Sequence, residues 1–203
     1  MKYLIILIFI FLTNVLFSQE VEKSTVQKTK KTYLIENWYF LFGYGSGDST
    51  TNNENLNEHL SNFQYNDFEK TNANMELMVY HSYNLDILFG GGISIFGSIY
   101  EGKEEQVDLS NFMFVLSGIY FFDVINKGFF IRTDIGKGVS ALNYKLTNYN
   151  KSSTEEVNNI NFGIGYAFRT TKEASLDFYV LNQNLYNDKI SIITFTVNAA
   201  VLW

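Results

Sequence analysis

The sequence predicts an all-β chain, an eight-stranded antiparallel up-and-down transmembrane β-barrel. Three observations carry that reading. Between Trp38 and Trp203 the chain holds eight runs in which apolar residues alternate with small or polar ones. The connections between those runs alternate between long polar stretches and tight turns. Aromatic residues make up 17% of the 203 residues, while proline is absent. A strand has a side-chain period of two, so each run presents one apolar face and one small or polar face. Proline removes a ladder donor, so its absence suits a chain made mostly of paired strands.

Met1 to Ser18 has the three parts of a cleaved secretory signal: Lys2, the apolar run Tyr3–Leu12, and a small-residue cleavage point at Leu16-Phe17-Ser18. The apolar run is shorter than the ~20 residues a spanning helix needs. Residues 19–37 are polar, with Lys28, Lys30 and Lys31 close together, and read as a solvated lead-in to a barrel over residues 38–203.

The first strand places Trp38, Phe40, Phe42 and Tyr44 on one face and Leu41, Gly43, Gly45 and Gly47 on the other. Aromatics outside and glycines inside suit a narrow barrel, where interior volume is scarce. Asp48–Asn72 reads as a long polar loop in which Leu56, Leu60 and Phe63 hint at one helical turn. The second strand, Ala73–Asn84, sets Met75, Leu77, Val79 and Tyr83 against Glu76, Met78, Tyr80 and Ser82. After a tight turn, Asp86–Tyr100 sets Ile87, Phe89, Ile93, Ile95 and Ile99 against Asp86, Gly90, Gly92, Ser94 and Ser98.

Glu101–Asp108 is a charged loop, and Leu109–Phe122 follows with Phe112, Phe114, Leu116, Tyr120 and Phe122 on one face. Its other face is only half polar, so this strand's parity is the least marked. Asp123–Lys127 is a short turn into Gly128–Leu142, where Phe129, Ile131, Ile135 and Val139 oppose Arg132, Asp134, Gly136, Gly138 and Ser140. Asn143–Glu156 reads as a third long polar loop. Val157–Arg169 and Ser175–Tyr186 are the sixth and seventh strands. The last run, Ile190–Trp203, puts Ile193, Phe195, Val197, Ala199, Val201 and Trp203 on one face.

In hydrocarbon every backbone group must be paired within the protein, so a sheet spans only by closing on itself. Nearly all mid-strand charges share the Gly/Ser face, which assigns that face to the lumen. Lys137 is the exception, placed by the pattern near an outer strand end where it reaches headgroups. A soluble lipocalin-like binder, the alternative architecture, would carry the opposite polarity.

Taken together, the signal, the eight alternating strands, the loop asymmetry and the terminal aromatic strand resemble the small outer-membrane β-barrel group (OmpA-type transmembrane, OmpX-like, porin family). The resemblance covers Trp38 to Trp203, departing from it in ending on Trp rather than the commoner Phe and in lacking a following peptidoglycan-binding domain. It implies a Gram-negative outer-membrane location with both barrel ends periplasmic. It implies contact with outer-membrane lipids and lipopolysaccharide. It also implies that Phe195, Val201 and Trp203 form the signal read by the barrel-insertion machinery.

Asp86, Arg132, Asp134, Arg169 and Asp177 fall on inward faces near the periplasmic halves of their strands and are expected to form a buried ion-pair network filling the lumen. Charges in a narrow low-dielectric interior must be paired. A narrow ion-conducting path is the alternative use of the same residues. An eight-stranded barrel is about filled by its own side chains, so a large open pore is not expected.

The net charge of −6 argues against nucleic acid as a partner. The absence of cysteine excludes disulfides, thiolate metal sites and a lipid-anchored Cys. No metal or cofactor motif occurs. Some barrels of this group modify lipid A with a His and a Ser two apart on one strand face. Here His81 is followed directly by Ser82, which points to the opposite face, so no enzyme is expected. A role in the outer loops, binding an unidentified extracellular ligand, would use His59, Leu60, Phe63, Tyr65 and Phe68 of the first loop.

Overall fold

A computed structural model describes residues 38–203 except 53–68, 102–105, 147–148, 172 and 189. The expected signal, the lead-in and the tip of the first loop, with its five candidate binding residues, lie outside the described residues. The eight strands are β1 (Trp38–Thr51), β2 (Glu69–Ser82), β3 (Ile87–Glu101), β4 (Gln106–Phe121), β5 (Gly128–Leu146), β6 (Tyr149–Arg169), β7 (Ser175–Tyr186) and β8 (Ser191–Leu202). Each pairs antiparallel with the next, and β8 pairs with β1, closing the barrel.

Closure runs from Leu41↔Leu202 to Thr51↔Ile192. It is completed by reciprocal backbone bonds between Phe40 and Trp203, at 2.7 and 3.0 Å. No sheet edge therefore faces outward along this seam, the condition hydrocarbon imposes. The 12-residue strands β7 and β8, at about 3.3 Å per residue and a tilt near 40°, rise roughly 30 Å.

The parity expected from the sequence holds in every strand. Trp38, Phe40, Phe42, Tyr44, Leu77, Phe89, Phe114, Leu116, Phe129, Ile135, Ile164, Phe178, Phe195, Val197 and Trp203 are all exposed on the outside. On β4, the strand of least marked parity, Met113, Val115 and Ile119 are buried inside. Near the end carrying Trp38 and Trp203 the outer rings meet edge to face, as in Trp38–His81, Tyr120–Phe122, Phe129–Tyr166 and Phe168–Phe178.

Two expectations are corrected. The third long loop is a β-hairpin: β5 runs on to Leu146, β6 begins at Tyr149, and pairing continues to Leu146↔Tyr149. The ends of the other two long loops are also strand, at Asp48–Thr51, Glu69–Asn72 and Gln106–Asp108. Beyond the apolar band the outward positions, such as Asp48, Thr50, Asn143, Lys145 and Thr154, are polar, so the apolar face that marks a spanning strand ends while pairing persists. Lys137 accordingly sits mid-strand in β5. It is opposite Asn158, the last β6 residue paired with β7, and so stands where the wall common to β5–β7 ends.

The second correction concerns the lumen, which is stratified rather than uniformly polar. Leu41, Leu88, Ile119, Phe121, Phe130 and Leu202 bury an apolar base at the short-turn end. Val107, Leu109, Val157, Leu185 and Ile192 bury a second apolar layer toward the other end. Polar groups occupy the middle.

Candidate functional site

The strongest constellation lies in that middle layer. Arg132 projects inward from β5 because it shares parity with Phe130 and Asp134, and it is 2% exposed. Its Nη1 donates to Glu76 Oε2 at 2.8 Å and its Nη2 to Glu76 Oε1 at 3.3 Å, a two-point grip on a carboxylate of β2. Its Nε donates to Asp134 Oδ1 at 2.8 Å. The planar guanidinium fork suits such bidentate pairing, which a lysine would not reproduce.

The trio carries one positive and two negative formal charges, so further donors must serve the carboxylates. Tyr179 of β7 donates its hydroxyl to Glu76 Oε2. Asn161 of β6 donates Nδ2 to Asp134 Oδ2 at 3.2 Å, and Asn159 Nδ2 bonds Asn161 Oδ1 at 2.8 Å. The Arg132 guanidinium carbon also lies 5.6 Å from the centre of the Tyr179 ring. Strands β2, β5, β6 and β7 are thereby tied across the lumen by charge-assisted bonds.

Toward the long-loop end a neutral layer follows. Asn74 Nδ2 donates to Asn198 Oδ1 at 2.8 Å, and Asn198 Nδ2 to Thr196 Oγ1 at 2.8 Å. Gln183 Nε2 reaches Asn74 Oδ1 at 3.4 Å. The layer offers dipoles and no net charge.

Of the five residues expected in the ion-pair network, the structure brings together Arg132 and Asp134. It places Asp177 apart, fully buried and accepting from Ser175 Oγ at 2.6 Å. Asp86 sits at the β2–β3 turn, where its backbone N–H donates to Asn84 Oδ1 at 3.0 Å. Arg169 is exposed at the rim and donates Nη2 to the carbonyl of Ile125 at 2.8 Å. Parity fixed their face, but each lies at the wrong height to reach Arg132. Glu76 and Tyr179 were missed as members, although the inward parity of Glu76 was a usable signal.

Phe195 and Trp203 are exposed on the outer face and Val201 is half-buried there. His81 is half-buried on the outer face with its ring 5.0 Å from that of Trp38, while Ser82 is buried on the opposite face. Among the described residues no group of three or more His, Cys, Asp or Glu is placed to hold a metal ion.

Tyr179 gives a contained test of the lock. Tyr179→Phe keeps the ring and removes one donor to a buried carboxylate, so stability should fall by about 1–3 kcal/mol. Urea unfolding in vesicles measures it, and an unchanged midpoint would remove the hydroxyl from the lock.

No protein-family model and no curated relative matches the sequence. Solved structures do match. Neisserial surface protein A is similar at 11% identity and a TM-score of 0.55, over 81% of this chain and 95% of that one. Ail, the attachment invasion locus protein of Yersinia pestis, is similar at 13% identity and a TM-score of 0.54, over 83% of this chain and all 100% of that one. A second Ail structure, in complex with the heparin analogue sucrose octasulfate, matches at 12% identity and a TM-score of 0.51, over 82% and 97% of the two chains. The chain has the fold of the small eight-stranded outer-membrane barrels.

Proposed function

We propose that this protein is an integral outer-membrane barrel with a closed lumen, acting through its outward-projecting end in a structural or surface-binding role. The observation that carries this reading is the inverted polarity of the wall. Large apolar side chains are exposed around the outside, while Arg132, Glu76 and Asp134 are buried within. In water that arrangement would expose an apolar belt far beyond the few hundred Å² a soluble monomer tolerates. In a bilayer the same belt meets acyl chains, with its aromatic rings at the interface. A lipocalin-like binder, holding its ligand in an apolar interior, has the reverse arrangement.

Both barrel ends, at Trp38 and Trp203, then lie on the periplasmic side with the short turns, and the β5–β6 hairpin lies on the outer side with the end of β1 and the start of β2. The belt contacts phospholipid in one leaflet and lipopolysaccharide in the other, with Lys137 at its upper margin. Phe195, Val201 and Trp203 present the outward stripe that the insertion machinery reads. The lock across the lumen, between two apolar layers, supports a barrel that conducts no steady ion current. The separation of His81 from Ser82 supports a non-enzymatic role.

A surface role is supported by the similarity to a neisserial surface protein and to an attachment protein. The net charge of −6 disfavours a polyanionic ligand of the kind one Ail structure holds. Binding is assigned to the first loop, where His59, Leu60, Phe63, Tyr65 and Phe68 supply more apolar and aromatic surface than a linker needs. Deleting residues 53–68 should leave membrane insertion intact and abolish adhesion of expressing cells to protein-coated surfaces. Adhesion that survives the deletion removes the loop from the function. In planar bilayers the protein should show no stepwise conductance, and a steady open level would favour the ion-path alternative.

A further inference from the structure

The connection between β4 and β5 does not point away from the barrel as a plain turn would. Its apex is turned into the mouth: Ile125 is 7% exposed and packs in the luminal apolar cluster, and Asn126 is 1% exposed. The flanking Asp123 and Lys127 stay outside, joined by a 2.6 Å salt bridge. Wall pairing ends just before the turn, at Phe121↔Phe130 and the 2.9 Å bond from Phe122 N to Phe129 O.

Three different parts of the rim hold this apex. Ile125 N donates to the carbonyl of Leu85 in the β2–β3 turn at 2.8 Å. Arg169, at the end of β6, donates Nη2 to the carbonyl of Ile125 at 2.8 Å. Ser175 Oγ, at the start of β7, lies 3.5 Å from Asn126 Oδ1 and 2.6 Å from Asp177 Oδ1.

A hydroxyl has one proton, and the shorter contact to the carboxylate takes it. With its amide turned end for end, Asn126 donates Nδ2–H to Ser175 Oγ, giving a chain from the turn to Asp177 and supplying a partner that Nδ2 otherwise lacks. The backbone is shaped for this inward fold by two left-handed residues, Asn126 at φ 70° and Gly128 at φ 81°. Asparagine and glycine are the residues that adopt that region at least cost.

We propose that Asp123–Lys127 is a lid that closes the short-turn mouth of the lumen, swinging on Gly128 and latched by Arg169. Its anchors are side-chain and turn bonds outside the ladder, so it opens while the wall pairing from Phe121↔Phe130 and Phe129↔Tyr166 onward stays intact. Opening it admits water and small ions to the base of the lumen and leaves the Glu76–Arg132–Asp134 lock as the remaining barrier. The arrhythmic sequence signal is Ile125 itself, a large apolar residue at the apex of a turn.

The chain has no cysteine, so a single engineered thiol reports access to the mouth without background. Ala167 is 1% exposed, faces the lumen and is paired with Gly128 beside the lid. Ala167→Cys in the folded, detergent-held barrel should react slowly with a neutral methanethiosulfonate. Adding Arg169→Ala should raise the rate roughly tenfold or more, because losing a charge-assisted bond shifts an opening equilibrium by about that factor. Ile125→Ser, which removes the apolar anchor, should do the same if Arg169→Ala does not fold. Compact migration of the unboiled protein on a denaturing gel confirms that the wall is intact in each variant. Equal rates with and without these changes, or fast labelling with the turn intact, would overturn the lid.

Discussion

Arg132→Ala should destabilise the barrel by about 3–5 kcal/mol, the usual cost of stripping one partner from a buried ion pair. The loss does not come from the guanidinium's own contacts alone. Glu76 and Asp134 would remain in the lumen with their charges facing each other, served only by Tyr179 and Asn161. The conservative Arg132→Lys keeps the charge but cannot grip Glu76 at two points while also reaching Asp134, so it should recover only part of the loss. Replacing Arg132, Glu76 and Asp134 together with Met, Leu and Leu should restore most of the stability, because a packed apolar plug needs no pairing. Urea titration in vesicles, read by the loss of compact gel migration, orders these variants. An Arg132→Ala protein as stable as the parent would show that the lock bears no load.

Gly138→Val should prevent the barrel from closing. A Cβ at Gly138 would fall 1.9 Å from the carbonyl oxygen of Phe112 on β4, a clash with backbone that no rotamer relieves. The same close approach occurs at Gly92, 2.0 Å from the carbonyl oxygen of Leu77 on β2. Inward glycines on β3 and β5 thus let neighbouring strands coil tightly enough for eight to close. Gly97 supplies the control, since a Cβ there meets nothing within 4 Å. Gly97→Ala should fold with parental yield, whereas Gly138→Val should give no heat-modifiable species. Normal folding of Gly138→Val would mean that the strands are further apart than described.

Parity was legible because one face of every spanning strand is held to apolar residues, so Trp203 and Arg132 could each be assigned a side. Height was not legible. Asp86, Arg169 and Asp177 share the lumen's parity with Arg132, yet only the inter-strand register decides who meets whom, and register is a property of pairs. Glu76 has the inward parity, but its pairing with Arg132, 56 residues away in sequence, is likewise set by register. The β5–β6 hairpin reads as a loop in the sequence because its outward positions, such as Asn143, Lys145, Thr154 and Glu156, are polar and no longer mark a spanning strand. The turn at Asp123–Lys127 looked ordinary by length, and only the placement of Ile125 separates a lid from a connection.

The central claim, that the exposed apolar face meets lipid, is tested most directly by the protein's two tryptophans. Trp38 and Trp203 both lie on the outer face at the same end of the barrel, with the Phe40 ring tilted beside that of Trp203. With the barrel folded into vesicles, bromine carried on the acyl chains near the headgroup should quench their fluorescence strongly, and bromine at the chain ends only weakly. Unquenched fluorescence, with the folded protein left in the aqueous phase without detergent, would contradict the account.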